Sequence, residues 1–401
     1  MIVAALAACI ATSPTQAEAI EERAWLAFAQ DAKEAAQEPK LSSDAQHQED
    51  LKRDREMGQK YSAEADKELK ASEDKEMIER VQRVGNQFAK IANENSVTAL
   101  WGDKRLNTFD YTFKVVQGKD VNAFSLPGGY IYFYEGLVKY IESDDELAGV
   151  MAHEVAHASL RHVATLQREQ SKFNAVSLPL ILIAILAGGT QGASGALTVS
   201  QLLSQATGSG WSVKAEKAAD YAGFQYMEKS KFNPTGMLTM MERLARDERS
   251  GPAYDWGIYR SHPPSRERAE ALSGYMKEAK IPIQRSEVTT SFRASSKPGD
   301  NGTVDLFFGK KKLVSMAGDN AIERASTAVK RLNDYYDNVP ELFSLQVGTD
   351  GVIKGRNRPL LELNAEDAKA AKMPITELRE STLKNVRSSL FNLAFRIWDR
   401  A

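Results

Sequence analysis

The sequence predicts an α+β protein: a mainly helical domain with a small β-sheet, followed by a smaller α+β domain. Three observations predict it. Apolar residues return at helical spacing through several long stretches, as in Met77, Ile78, Val81, Val84, Phe88 and Ile91. Aromatic and β-branched residues alternate on both sides of Pro127-Gly128-Gly129. Beyond about residue 285 the pattern changes to short segments punctuated by Gly309 and Gly351.

A length of 401 residues allows two or three domains. We divide the chain into a signal segment (1–17), an N-terminal helix and polar linker (18–56), a main domain (57–285), a linker (286–303) and an accessory domain (304–401). Met1 to Ala11 is an apolar run, followed by Thr15-Gln16-Ala17, a pattern acceptable to a signal peptidase. Leu6-Ala7-Ala8-Cys9 also has the form of a lipobox, which would make Cys9 a lipid anchor. Either route implies export, to the periplasm or a membrane face; the remaining reading is a terminal helix with no targeting role. Residues 38–55 lack apolar periodicity and read as solvated linker.

One or two amphipathic helices are expected over 56–93, and a strand over 108–117. Asn122, Ala123 and Phe124 lead into the Pro-Gly-Gly turn, and Tyr130 to Phe133 form the return strand. Ser143-Asp144-Asp145-Glu146 is a capping box that opens a helix expected to run to about residue 167. No charged residue lies between Phe173 and Val213, yet Pro179 and Gly188-Gly189 interrupt the apolar part. That stretch suits a buried or cleft-covering hairpin, or contact with a membrane surface, better than a transmembrane helix. Helices are expected from Ser212 to Lys229 and from about residue 264. After a polar linker at 290–303 come a hairpin around Gly309, a helix over 319–335, two strands flanking Gly351 and a helix from Pro374.

With 52 basic and 54 acidic side chains, the composition gives no reason to expect a nucleic-acid partner. The single cysteine excludes an internal disulfide and a Cys-based zinc site, so any metal chemistry falls to histidine and carboxylate. Only five histidines occur, and His153-Glu154-Val155-Ala156-His157 places two of them in an H-E-x-x-H motif. Residues four apart share a helical face, so both imidazoles can reach one ion. Glu154 is rotated about 100° from His153, beside the metal as a general base and not on it. His162 follows His157 by five residues; a continuous helix would carry it off the metal-facing side, which leaves it a structural hydrogen-bonding role. Glu216 is a candidate third ligand, with Asp220 one turn on to hydrogen-bond a ligand histidine. Acidic pairs at this spacing are also common on solvated helices.

H-E-x-x-H followed by E-x-x-A-D resembles the gluzincin zinc metallopeptidase family of the CAAX prenyl endopeptidase, the bacterial heat-shock membrane protease and the periplasmic β-barrel assembly-enhancing protease. The likeness extends to Asn122-Ala123-Phe124, Pro127-Gly128-Gly129, Gly136-Leu137, Arg161-His162, Ser261-His262-Pro263 and Arg268, and is closest to the exported branch. It implies a zincin-type fold with a small sheet beside the active-site helix, and one Zn2+ per chain. It implies Glu216 as third ligand and Asp220 as its support. His262 resembles a histidine that can fill the open metal position and keep the enzyme latent; it could instead stabilise an oxyanion or simply begin a helix. Arg268 would lie near the same site. The function implied is a zinc endopeptidase acting on unfolded or misassembled envelope polypeptides, which pair with the strand at 122–124. The alternative is a latent or non-proteolytic assembly factor that uses the same cleft for binding.

Overall fold

A computed structural model of the chain describes residues 44–170, 211–248, 266–338 and 344–393. The expectations for residues 1–17, Cys9 and His262, and nearly all of 173–213, fall outside them.

Helix α1 (Asp44–Glu68) occupies ground that the sequence marks as linker. In its first half Leu51 is the one buried apolar side chain, and the buried Asp54 pairs with Arg161 from a distant part of the chain. A helix held by charges leaves no apolar period to read. Its second half packs Tyr61 and Ala65 on one face of a three-stranded sheet, against Phe124, Leu126, Tyr132 and Tyr134. The approach is close at Gly58, where a Cβ would lie 1.9 Å from the Pro127 carbonyl oxygen.

Helix α2 (Lys75–Glu94) begins at Asp74, whose carboxylate accepts from the Met77 N–H at 3.0 Å. Val81, Val84, Phe88 and Ala92 face the main core. The sheet comprises β1 (Thr112–Val116), β2 (Ala123–Leu126) and β3 (Tyr130–Tyr134). Its order is β1-β3-β2, with β1 parallel and β2 antiparallel to the central strand. β2 is therefore an edge strand. Helix α3 (Glu135–Tyr140) leads to α4 (Asp144–Ser159), where Ser143 accepts from the Glu146 N–H at 3.1 Å. Thirteen of the sixteen residues of α4 are buried, so it is the central helix of this domain.

The expected single helix to residue 167 is two. α4 stops at Leu160, Arg161 takes a left-handed φ of +51°, and α5 (His162–Gln170) sets off in a new direction. The loop at 101–107 secures the break. The Asp103 N–H donates to Leu160 O at 2.7 Å and Asn107 Nδ2 to Ser159 O at 2.7 Å, satisfying carbonyls that a helix end leaves open. α6 (Trp211–Glu228) and α7 (Thr235–Glu248) pack on α4, and α8 (Arg266–Glu278) packs on both.

The polar stretch expected as linker at 286–303 is largely structured. A short helix α9 (Arg285–Val288) and a 3-10 turn lead into β4 (Ala294–Pro298). β4 pairs antiparallel with β5 (Val304–Phe308), which pairs with β6 (Lys311–Met316) around Gly309. Only Ala294 of β4 is buried, so the strand reads as polar. Helix α10 (Ala321–Asp337), a meander of β7 (Leu345–Val347), β8 (Ile353–Gly355) and β9 (Arg358–Leu361), then α11 (Ala365–Ala371) and α12 (Ile375–Leu393) complete a second core. Polar contacts tie it to the first domain. Glu142, just ahead of α4, accepts from Thr290 Oγ1 at 2.8 Å and from the Ser291 N–H and Oγ at 2.8 and 2.6 Å. Arg285 forks onto Glu242 at 2.8 and 2.7 Å.

Candidate active site

Helical spacing puts His153 and His157 on the same side of α4, with ring centroids 4.7 Å apart. Their Nε2 atoms lie 3.1 Å from each other. α6 brings Glu216 to the same point, with Oε2 3.2 Å from His153 Nε2 and Oε1 3.3 Å from His157 Nε2. Zinc bonds of about 2.0–2.2 Å at tetrahedral angles separate neighbouring donors by about 3.3–3.6 Å. The donors lie within a few tenths of an ångström of that spacing, so His153, His157 and Glu216 together suit one zinc ion. His153, His157 and Glu216 are the one His/Cys/Asp/Glu grouping of this kind among the described residues.

The charges around the three donors suit a cation as well. Burial disfavours an imidazolium at His153, but Asp220 and Glu216 outweigh it and push the pKa up to about 10. Asp220 Oδ1 lies 3.0 Å from His153 Nδ1, the nitrogen turned away from the donor cluster. Burial also opposes ionisation of Asp220; the Arg268 guanidinium, bonded through Nε at 2.6 Å and Nη2 at 2.8 Å, holds it down at about 2. The same guanidinium reaches Glu216 Oε2 through Nη1 at 3.0 Å. Arg268 thus grips both carboxylates from behind, a place from which it fixes their orientation.

His157 is supported differently. Its Nδ1 lies 2.9 Å from Nδ1 of His162, whose Nε2 is 3.3 Å from the Trp101 carbonyl oxygen. A carbonyl only accepts, so His162 carries its proton on Nε2 and presents the Nδ1 lone pair to His157. His157 then donates from Nδ1 and keeps the Nε2 lone pair for the cluster. Burial, then the neighbouring His157, hold the His162 pKa well below its usual range, which keeps it the neutral acceptor. The break at Arg161 brings His162 here; the continuous helix expected from the sequence would have turned it away.

The break itself is clamped. Arg161, 5% exposed, donates to Asp54 of α1 through Nη2 at 3.0 Å and to Asp103 through Nη1 at 2.7 Å. Asp103 also pairs with Arg105. Burial works against the Asp103 carboxylate, but Arg105 and Arg161 hold its pKa far below the usual range. The sequence shows Arg161-His162 as a motif but not that one residue holds the break and the other the ligand.

Glu154 is buried at 1% exposure and shares a pocket with His153 between α4 and α7. Asn122, Ala123 and Phe124 are buried too, and Phe124 stacks on Tyr132 at 4.8 Å. Their side chains are committed to the core, and Ser125 is the partly exposed residue of β2. The end of that strand (Ser125, Leu126) shares a surface groove with Pro127 and His157.

Two histidines on the central helix, a glutamate after the first of them and a second glutamate brought up by α6 form the donor set of zinc metallopeptidases of the H-E-x-x-H type. Residues 79–276, just under half of the chain, match the model of peptidase family M48. It is 27% identical over 251 residues to a β-barrel assembly-enhancing protease of Yersinia pestis, covering 60% of this chain and 44% of that protein. It is 32% identical over 184 residues to the mitochondrial metalloendopeptidase OMA1 of Schizosaccharomyces pombe, covering 45% and 51%. Against the metalloprotease LoiP of Escherichia coli the figures are 30% over 171 residues, covering 43% and 65%. The chain thus spans less than two thirds of each of these relatives. Among the described residues no helix is long and apolar enough to cross a membrane.

Proposed function

We propose that this chain hydrolyses peptide bonds in unfolded or misassembled polypeptides, with His153, His157 and Glu216 holding one zinc ion and Glu154 acting as general base. The observation that carries the reading is the convergence of the two imidazole Nε2 atoms, 3.1 Å apart, with the Glu216 carboxylate oxygens at 3.2 and 3.3 Å from them, next to a buried glutamate. His153, His157 and Glu216 would hold the zinc, which when bound would supply Lewis-acid polarisation of the scissile carbonyl and of water. Glu154 takes the proton of the attacking water and returns it to the leaving amine. Asp220 and His162 keep the two imidazoles oriented, and Arg268 keeps both carboxylates in place.

The substrate is an extended chain that adds to the edge of β2, recognised more by its backbone than by its sequence. This favours unfolded segments. An envelope location accords with the relative named a β-barrel assembly-enhancing protease, which is why we place the substrates there. His262, outside the described residues, remains a candidate for the open metal position or for an oxyanion contact. The stretch 173–213, largely outside them too, remains a candidate cleft cover or membrane contact.

Elemental analysis and casein cleavage test this together. Wild type should carry about one zinc per chain and Glu216→Ala should lose it. Glu154→Gln should keep zinc and lose cleavage by at least about a hundredfold. Full proteolysis in Glu154→Gln would remove the assigned base. A cellular role that survives the same substitution intact would favour the non-proteolytic assembly factor.

A further inference from the structure

Glu242 and Arg243 are consecutive on α7, and both are buried, at 2% and 3% exposure. Neighbours on a helix point about 100° apart, so the two serve different partners. Arg243 turns towards the zinc-motif helix. It donates to Glu146 in the first turn of α4 and to the Tyr140 carbonyl oxygen at 2.8 Å, and its guanidinium lies 4.3 Å from the Tyr140 ring centre. Glu242 turns to Arg285 of α9, which forks onto it through Nε at 2.8 Å and Nη2 at 2.7 Å. The remaining nitrogen, Nη1, donates to the Asp337 carbonyl oxygen at the end of α10, at 3.3 Å. The Asp337 carboxylate in turn accepts from the Ser286 N–H and Oγ at 2.8 and 2.7 Å. α7 is thus gripped on one side by α4 and on the other by the C-terminal domain.

We propose that the C-terminal domain braces the catalytic centre, and that Arg285 is the positioning residue through which it acts, by fixing the rotation and tilt of α7 beside Glu154. The proposal rests on the peptidase reading above. Near the start of α7 its backbone touches α4: a Cβ on Gly236 would lie 2.1 Å from the Asp145 carbonyl oxygen, and one on Gly149 2.6 Å from Met237 Cα. Beyond that contact the two helices enclose His153 and Glu154, with Met240, Met241 and Leu244 of α7 facing them. A tilt of α7 about the glycine contact, or a turn about its own axis, would therefore alter the surroundings of Glu154. Glu242 and Arg243, held by opposite partners, block both movements. A buried Arg–Glu pair gives little stability over apolar residues of the same size, because both groups lose their hydration. What the fork supplies is a fixed direction, and here it is applied to the helix that walls the general base.

The test uses the full-length, zinc-loaded chain and a peptide taken from its casein cleavage sites. Replacing Arg285 and Glu242 together with Met strands neither charge, so the fold should survive. In that double variant kcat should fall by about tenfold or more while KM stays within about threefold, because a displaced Glu154 is felt in proton transfer and not in binding. Zinc content should match wild type, and amide exchange should quicken in α7 and stay unchanged in α2. Arg285→Lys keeps the charge but loses the fork, and kcat should fall by about threefold or more at unchanged KM. Should the double variant not fold, this single variant decides. A folded, zinc-loaded variant with wild-type kcat, or one in which KM alone rises, would overturn the proposal and leave the peptidase reading standing. A zinc-loaded wild type that cuts nothing would overturn both.

Discussion

At His162 the hydrogen bonds run in one direction, from His162 to the Trp101 carbonyl and from His157 to His162. The ring must accept at Nδ1 for His157 to offer a lone pair at Nε2. Replacing His162 with Phe should therefore weaken zinc binding by about 10- to 100-fold in a chelator competition, with the fold retained. His162→Asn, whose Oδ1 stands close to where Nδ1 was, should recover most of that loss; an Asn variant as weak as Phe would show that shape and not hydrogen-bonding polarity matters. The H-E-x-x-H pair was legible because helical spacing alone fixes it. The role of His162 was legible only in kind, because the geometry depends on a left-handed Arg161 that neither Leu160 nor Arg161 announces. The pairing of Glu216 with the histidines was open in the sequence, since only the packing of α6 on α4 separates a ligand from a solvated acid.

Among the elements, α1 illustrates how a helix can escape a reading based on apolar periodicity. It is fastened by Asp54 to the buried Arg161, across a separation of 107 residues. Removing one partner of a buried pair leaves the other charge stranded, so Asp54→Ala should cost about 3 kcal/mol in urea unfolding. A loss below about 1 kcal/mol would show that Asp103 alone satisfies Arg161. The variant should also lower zinc affinity, because Arg161 holds the turn from which His162 reaches back. Strand β4 was missed for a related reason: its half-buried Ser295 and exposed Ser296 and Lys297 carry the composition of a linker, while its pairing with β5 depends on backbone atoms. Helix α4, β2 and β3 were legible because capping, turn chemistry and alternation all agree there.

For the molecule as a whole, Glu142 joins the C-terminal domain to the start of the helix that carries the zinc motif. Burial opposes its ionisation, but bonds from Ser291 and Thr289, with Arg243 nearby, hold it down at about 2. A depressed carboxylate contributes stability that is fully present above its unfolded value near 4.5 and is lost as pH falls towards 2. The contribution is on the order of 2 kcal/mol after discounting for partial exposure. Limited proteolysis at the 285–294 junction should accelerate between pH 4.5 and 2 in wild type, and Glu142→Gln should flatten that dependence. The sequence shows a change of pattern near residue 285, and a separate hydrophobic cluster begins at Phe292; the contacts of Glu142 were not legible, because they are made by Thr and Ser side chains that read as solvated. The clamp at Arg161 has a further consequence in time. Asp54 leaves the ribosome 107 residues before Arg161 does, so this contact is among the slow, non-local ones to close. The turn that supports His157 can close only once Arg161 has emerged, and Glu216 follows 55 residues later, so the growing chain passes through that interval with its donor cluster incomplete.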